Sequence, residues 1–159
     1  MIKSFTIDHT KLNAPTIRLA DVYERSGVKV CKWDLRFIKP NTTYFDDRTM
    51  HSMEHLLATA FKEVFGDDMI DLSPMGCKTG FYFTKFESTA TQEKIREAIR
   101  RSINVKIPEP TKYNCGSYQL HDIDNARKVL KDISNEINSC SNWWRVQIGL
   151  WAFYRRTCA

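Results

Sequence analysis

Residues 48–61 read Arg-Thr-Met-His-Ser-Met-Glu-His-Leu-Leu-Ala-Thr-Ala-Phe, and this stretch predicts the helix against which the rest of the chain folds. No proline or glycine interrupts it, and Asp46, Asp47 and Thr49 offer side-chain oxygens that can cap its first turn. Helical spacing of the apolar residues predicts one buried stripe, which consists of Met53, Leu56, Leu57, Ala60, Phe61 and Val64. The opposite face of this helix is then left for another role.

Two histidines lie on that opposite face. His51 and His55 are four residues apart, so their side chains stack on one side of the helix, with Glu54 beside them. Two imidazoles one turn apart can bind one divalent cation, and a neighbouring carboxylate can move protons near it. The alternative is a solvated polar face that happens to hold two histidines. We favour the metal site because three functional residue types occur together at the required spacing.

A catalytic metal site needs a third protein ligand, which Asp, Glu, His or Cys could supply. Our candidate is Cys115, in a turn-forming Cys-Gly pair just before a predicted helix, although an ordinary buried thiol remains an alternative. His121, next to Asp122, could orient a ligand from outside the first coordination shell. A helix cap with a neighbouring histidine is the simpler interpretation of that pair.

Further candidate residues are ambiguous when each is taken alone. Cys77 follows Gly76 between two β-prone segments, and near a cation the pKa of its thiol would fall, so that it could shuttle protons. The alternative for Cys77 is an ordinary free thiol. Ser4, His9 and Arg36 could be a surface serine, a loop histidine and an arginine on the solvated face of a strand.

Composition limits the class of protein. The chain has 159 residues, 42% of them hydrophobic, and a formal net charge of +5, which suits a single globular domain. The positive charges are scattered rather than clustered with aromatic residues, so we expect no nucleic-acid partner. No stretch is long enough to span a membrane. Five cysteines without a secretion signal predict free thiols and a cytoplasmic location.

Periodicity along the chain predicts an α+β fold, with a mainly antiparallel sheet and helices packed on one of its faces. We predict strands at 4–8, 28–38, 69–73, 80–86 and 105–107, with a β-bulge near Cys31 and Lys32. A second helix is expected to start near Thr89 or Thr91, and Asp122 is expected to cap a third. Residues 1–138 then form one catalytic domain, and 139–159 form an atypical aromatic and basic tail.

Several separated motifs, in the same order, resemble the LuxS family of S-ribosylhomocysteine lyases. The motifs are Ser4-Phe5 with Asp8-His9-Thr10, Trp33-Asp34-Leu35-Arg36-Phe37, His51-Ser52-Met53-Glu54-His55, Ser73-Pro74-Met75-Gly76-Cys77, and Cys115-Gly116 with His121-Asp122. The resemblance covers about residues 3–137, and the tail from residue 139 matches nothing in the family.

The resemblance implies a homodimer with its active sites at the subunit interface and a divalent metal in each. The metal is implied to be Fe²⁺ in nature, with Zn²⁺ or Co²⁺ as substitutes. The residues implied are His51, His55 and Cys115 as metal ligands, Cys77 and Glu54 as acid/base groups, and Ser4, His9 and Arg36 as substrate contacts.

The implied reaction splits the thioether of S-ribosylhomocysteine into homocysteine and 4,5-dihydroxy-2,3-pentanedione, the precursor of a quorum-sensing autoinducer. It proceeds by carbonyl migration along the ribose, followed by β-elimination. Two other functions fit parts of the sequence. The His-x-x-Glu-His spacing alone is typical of inverted-zincin metallopeptidases, which are longer and take a downstream glutamate as third ligand. The third possibility is a non-enzymatic metal-binding module whose basic tail binds a partner.

Overall fold

A four-stranded antiparallel sheet and three helices make up the part of the chain that the computed structural model describes, residues 6–87 and 91–139. The strands are β1 (Thr16–Arg25), β2 (Val28–Arg36), β3 (Met69–Pro74) and β4 (Gly80–Phe86), and the helices are α1 (Asp47–Phe65), α2 (Gln92–Ser102) and α3 (Ile123–Ser139). The strand order in the sheet is β1-β2-β4-β3. The predicted α+β class is confirmed.

Helix α1 buries the predicted stripe. Asp46 is its N-cap and accepts hydrogen bonds from the backbone N–H groups of Arg48 and Thr49. The ring of Phe61 lies 4.7 Å from that of Phe83 in β4, so the helix packs directly on the apolar face of the sheet. The stripe residues Met53, Leu56, Leu57, Ala60 and Phe61 are fully buried, and Val64 is partly buried. Core burial of this face directs the histidine face outward.

Strand β1 is the element that the sequence did not reveal. It pairs with β2, and a two-residue turn connects the two strands. Ser26 and Gly27 in this turn have φ values of 52° and 77°. Positive φ at both positions is the geometry of a type I′ hairpin turn, which matches the twist of the two strands. The last three residues of β1 are exposed, so burial imposes no apolar alternation there to predict the strand.

The β-bulge lies in a different strand from the one predicted. β2 pairs with β4 without any register shift, whereas Leu19 and Asp21 in β1 pair with consecutive residues of β2, leaving Ala20 extra. A bulge was expected in β2 because its apolar residues change from even positions (Val28, Val30) to odd positions (Trp33). This change has a simpler cause than a bulge. Cys31 and Trp33 already share the core face, and Val28 and Val30 lie on the opposite face near the hairpin end.

The predicted strands at 69–73 and 80–86 are confirmed as β3 and β4, but the one at 105–107 is wrong. The guanidinium of Arg127 in α3 donates to the carbonyl oxygens of Ile103 and Val105. A side chain therefore satisfies backbone groups that strand pairing would otherwise have to satisfy. Of the predicted strand at 4–8, residues 4 and 5 lie outside the described part and residues 6–8 are not a strand.

Helix α2 begins at Gln92, with Thr91 as the N-cap that accepts from the backbone N–H of Lys94. The alternative start at Thr89 and the predicted tail from residue 140 onward lie outside the described residues. No helix of residues 6–87 or 91–139 has the length and hydrophobicity needed to span a membrane.

Candidate active site

Four metal-binding side chains converge where α1 meets the segment that leads into α3. The ligand atoms of His51, His55, Cys115 and His121 all lie within 4.8 Å of one another. Cys115 Sγ is 3.5 Å from His51 Nε2, 3.8 Å from His55 Nε2 and 3.4 Å from His121 Nε2. In a tetrahedral zinc site, the usual bond lengths separate sulfur from nitrogen by about 3.6 Å. The cluster therefore fits one divalent cation.

The loop that carries Cys115 is held by short-range hydrogen bonds. The backbone N–H of Cys115 donates to the carbonyl of Thr111 (3.0 Å), and the side chain of Asn114 accepts from the N–H of Thr111 (2.7 Å). Arg48 of α1 then donates from Nε and Nη2 to the carbonyl oxygen of His121, at 3.1 and 2.9 Å. The two hydrogen bonds of Arg48 therefore connect the first turn of α1, just before His51, to the end of the loop at His121.

The hydrogen bond of His51 determines which of its nitrogens can bind a metal. Its Nδ1 lies 3.0 Å from the carbonyl oxygen of Leu120. Because a carbonyl oxygen only accepts, Nδ1 carries the hydrogen, and in the neutral tautomer Nε2 then has the lone pair. That lone pair is on the nitrogen nearest Cys115, as in protein metal sites where a carbonyl orients the ligating histidine.

Burial and neighbouring charges lower the pKa of two imidazoles of the cluster. Burial, followed by the charge of His51, lowers the pKa of His55, while Glu54 opposes the shift. Burial, followed by the charges of His51 and His55, lowers the pKa of His121 to about 4. A neutral imidazole is the form that binds metals, so these side chains are ready for ligation near neutral pH.

His121 is the member of the cluster that the sequence offered only as a residue that could orient a ligand from outside the first coordination shell, or more simply as the neighbour of a helix cap. Its neighbour Asp122 does cap α3, as expected, by accepting from the backbone N–H of Asn125 at 3.0 Å. His121 is nevertheless more than a neighbour of the cap, since its ring stacks on His51 with centroids 4.1 Å apart. Nothing in its spacing from α1 could have indicated this, because 66 residues separate it from His55 (121 − 55).

Cys77 belongs to a second group, in the turn between β3 and β4. Its exposed sulfur lies 3.1 Å from Thr79 Oγ1 and 3.4 Å from Arg36 Nη1. Arg36 also donates to Thr79 Oγ1 at 2.6 Å, which leaves the hydroxyl hydrogen of Thr79 free to donate to the sulfur. Partial burial raises the pKa of Cys77, but hydrogen bonds from Thr79 and the positive charge of Arg36 outweigh it and lower the pKa overall.

Arg36 is not on a solvated face, which was one of the possibilities that the sequence left open. Only 3% of its surface is exposed, and its Nη2 donates to Asp34 Oδ2 at 3.1 Å. Arg18 in β1 donates to the same oxygen at 2.6 Å. Asp34 is fully buried, and its carboxylate accepts hydrogen bonds from both arginines. This pairing holds the guanidinium of Arg36 in place.

The remaining predicted residues are more isolated. Glu54 is half-buried beside His55, and its carboxylate has no hydrogen bond or ion pair within residues 6–87 and 91–139. His9 lies in a short 3₁₀ helix (His9–Lys11), where its Nδ1 donates to the carbonyl of Ile7 at 2.9 Å. Ser4 lies outside the described residues. No hydrogen bond or ion pair in the described part of the chain links Cys77 to the histidine cluster.

The similarity to known proteins extends over the residues of both groups, the histidine cluster and the group around Cys77. The profile of the family described as S-Ribosylhomocysteinase (LuxS) matches residues 2–143. The protein named "S-ribosylhomocysteine lyase" from Clostridium perfringens (strain SM101 / Type A) is 41% identical over 138 residues, which cover 83% of this chain and 90% of the relative. A protein of the same name from Clostridioides difficile (strain 630) is 39% identical over 137 residues, with the same coverage.

Proposed function

The chain belongs to the LuxS family and is an S-ribosylhomocysteine lyase, and we propose how its two groups of side chains perform the reaction. The products are homocysteine and 4,5-dihydroxy-2,3-pentanedione, the precursor of a quorum-sensing autoinducer. The observation that carries the proposal is the convergence of Cys115 with His51 and His55 at distances suited to one metal ion.

His51, His55 and Cys115 would hold a divalent metal. Two imidazoles and a thiolate suit Fe²⁺, Co²⁺ and Zn²⁺. We propose Fe²⁺ as the native ion and Zn²⁺ or Co²⁺ as substitutes. When bound, such an ion supplies Lewis-acid polarisation of the sugar carbonyl. Because Leu120 orients His51, the protein holds this ligand in the required tautomer before any metal arrives.

Cys77 and Glu54 would move the protons. The thiolate of Cys77 removes a proton from the carbon next to the carbonyl and returns it to the neighbouring carbon, so the carbonyl migrates along the ribose. Glu54 exchanges the accompanying protons of the sugar hydroxyls. After the migration, one of these two groups removes the proton on the carbon next to the new carbonyl, and the C–S bond on the following carbon breaks to release homocysteine thiolate by β-elimination. The lowered pKa of Cys77 supports its role, and so does the carboxylate of Glu54, which has no hydrogen bond or ion pair within residues 6–87 and 91–139.

Substrate contacts are proposed for Ser4, His9 and Arg36. Arg36 donates to Cys77, so a sugar within reach of the thiolate is also close to the guanidinium. In His9, Nδ1 donates to a backbone carbonyl, which leaves Nε2 as an acceptor for a hydroxyl group. We expect Ser4 to add a further hydroxyl contact.

We propose that the active site is completed in a homodimer. The histidine face of α1 is only half-buried in one copy. One turn beyond His55, Ala58, Thr59, Lys62 and Glu63 line an open depression of about 560 Å³. A second copy placed there could bring Cys77 to the metal site, which would explain why the two groups share no hydrogen bond within one chain.

We further propose a cytoplasmic enzyme without a nucleic-acid partner, with residues 1–138 as its catalytic domain. Within the described part of the chain, Cys31, Cys77 and Cys115 are not joined in disulfides, as expected in a reducing compartment. The inverted-zincin alternative loses support because Cys115 and His121, rather than a glutamate, accompany the two helix histidines. A purely metal-binding module would not need a thiol with a lowered pKa outside the metal cluster, so Cys77 favours an enzyme.

The test is direct. Purified protein loaded with Fe²⁺ or Co²⁺ is incubated with S-ribosylhomocysteine, and free thiol is followed with a chromogenic disulfide reagent. We expect steady thiol release that exceeds the five cysteines of the protein itself. No release from folded, metal-loaded dimer would reject the proposal.

A further inference from the structure

We propose that Arg18 is a positioning residue for the reaction. It shares the carboxylate of Asp34 with Arg36, and so leaves the positive charge of Arg36 in excess beside the thiolate of Cys77. The part that Cys77 plays in the reaction rests on the proposed function above. The effect of Arg18 on the thiol is inferred from the contacts among these four side chains, and it can be measured without substrate.

The register of the sheet brings these side chains together. Arg18 in β1 lies directly opposite Asp34 in β2, and Asp34 lies directly opposite Tyr82 in β4. Arg36 is two residues beyond Asp34 on the same strand, so both side chains project from the same face of the sheet. From there Arg36 reaches the turn between β3 and β4, where its Nη1 is 3.4 Å from the sulfur of Cys77. Arg18 is therefore connected to the thiol through Asp34 and Arg36.

Both arginines donate to the same oxygen of Asp34. Nη2 of Arg18 is 2.6 Å from Oδ2, and Nη2 of Arg36 is 3.1 Å from that atom. The other oxygen, Oδ1, is buried and has no hydrogen-bond partner within residues 6–87 and 91–139. Because the shorter of the two contacts belongs to Arg18, the carboxylate is not held by Arg36 alone. Arg36 meanwhile directs Nη1 to Cys77 and to Thr79.

The balance of charge depends on Arg18. Two guanidinium groups and one carboxylate leave one positive charge in the group, whereas Asp34 and Arg36 without Arg18 would neutralise each other. Asp34 is fully buried and Arg36 is 3% exposed, so water screens the interaction between them only weakly. The side chain of Arg18 is 27% exposed, which means that it can be replaced without creating a closed cavity. A substitution at this position therefore changes charge more than packing.

Two further titratable groups near the thiol do not replace this charge. Lys78 follows Cys77 in the chain, but its Nζ pairs with Asp47 of α1 at 2.5 Å. The phenol of Tyr82 is uncharged near neutral pH, since burial, followed by the charge of Asp34, raises its pKa above the usual value of about 10. Arg18 is among the charges that oppose this rise, so its positive charge acts across β2 on a group in β4.

The pH dependence of alkylation at Cys77 tests the proposal without relying on activity. Metal-loaded protein without substrate is treated with iodoacetamide across a pH series, and peptide mapping gives the rate at Cys77. Arg18→Gln keeps an amide that can donate to Asp34 but removes the charge. We expect the pH of half-maximal rate to rise by at least about 0.5 unit, less than the shift of about 1–3 units that an adjacent charge produces. Arg18→Met is a second neutral variant, which retains the aliphatic part of the side chain and should show the same rise.

Two controls separate charge from other effects. Arg18→Lys keeps the positive charge and can donate from one nitrogen, as Arg18 does to Asp34, so it should keep the midpoint of wild type. Arg25→Gln removes the same charge from the exposed end of β1, seven residues and roughly 23 Å along the strand from Arg18, and should also leave the midpoint unchanged. Near-UV circular dichroism verifies that each variant is folded.

An unchanged midpoint in a folded neutral variant would overturn the proposal, and so would an equal rise in Arg18→Lys or Arg25→Gln. Turnover tests the proposed function of Cys77 separately. If the thiolate is the base, the acidic limb of kcat/KM for S-ribosylhomocysteine should move to higher pH in Arg18→Gln, together with the alkylation midpoint. A limb that stays in place while the midpoint rises would reject Cys77 as the base, although the effect of Arg18 on the thiol would stand.

Discussion

Arg36 Nη1 lies 3.4 Å from the sulfur of Cys77, and both contact the hydroxyl of Thr79. The arginine is buried and paired with Asp34, so the positive charge is held next to an exposed thiol without moving toward solvent. This arrangement stabilises the thiolate by charge and by hydrogen bonds. It favours a reactive thiolate at Cys77, and it leads to the first prediction.

Thr79→Val should raise the pKa of Cys77. Valine has a similar shape but removes the hydroxyl that donates to the sulfur, and hydrogen bonds from Thr79 are the largest of the effects that lower this pKa. The rate of iodoacetamide alkylation at Cys77, measured by peptide mapping across a pH series, should reach half its maximum at higher pH than in wild type. Thr79→Ser keeps the hydroxyl and is the control. An unchanged midpoint in Thr79→Val would show that the hydroxyl does not set the pKa, which would leave the backbone N–H of residue 79 and Arg36 as its causes.

Cys77→Ala should retain the metal and lose turnover. No hydrogen bond in the described part of the chain links the thiol to the histidine cluster, so metal content should equal that of wild type, while loss of a proton-transferring group costs about 10²–10⁴-fold in rate. His55→Ala is the opposite case and should lose metal, because it removes a cluster member. Metal analysis and thiol release distinguish the two. Normal rates in Cys77→Ala would refute its proposed role.

Mixing these two inactive variants tests whether the active site is shared. If Cys77 of one copy serves the metal held by the other, a mixed dimer contains one intact site, and random exchange of an equal mixture should restore about a quarter of wild-type activity. If both groups act within the same chain, no mixture can regain activity. Subunit exchange should be verified by mass spectrometry of a tagged copy before rates are compared.

Asp34→Asn should strongly destabilise the fold. It leaves the buried guanidinium of Arg36 without its counter-charge, and breaking a buried ion pair on one side costs about 3–5 kcal/mol in free energy of unfolding. Asp67→Asn is the matched control, because its ion pair with Lys62 is exposed and contributes at most about 1 kcal/mol. Urea unfolding monitored by circular dichroism gives both values. Equal losses in the two variants would contradict the buried role of Asp34.

Local features of this protein were determined by the sequence itself. The stripe that includes Leu56 and Phe61 and the cap at Asp46 establish α1, and the same helical period sets His51 and His55 one turn apart on its outer face. Spacings within a helix or strand follow from backbone geometry alone, so they can be derived before anything is known about packing. The same reasoning correctly identified β3, β4 and the capped start of α3.

Tertiary structure decided what meets across long separations. His121 joins His51 only because the loop before α3 packs on α1, and Arg18 reaches the buried carboxylate of Asp34 only because β1 pairs with β2. The segment near Val105 is not a strand, since Arg127 donates to the carbonyl oxygens that strand pairing would otherwise satisfy. None of these contacts has a local period, since each depends on the free energy of the whole packed arrangement. The sequence therefore determined the metal-binding helix, and the fold determined which side chains complete its site.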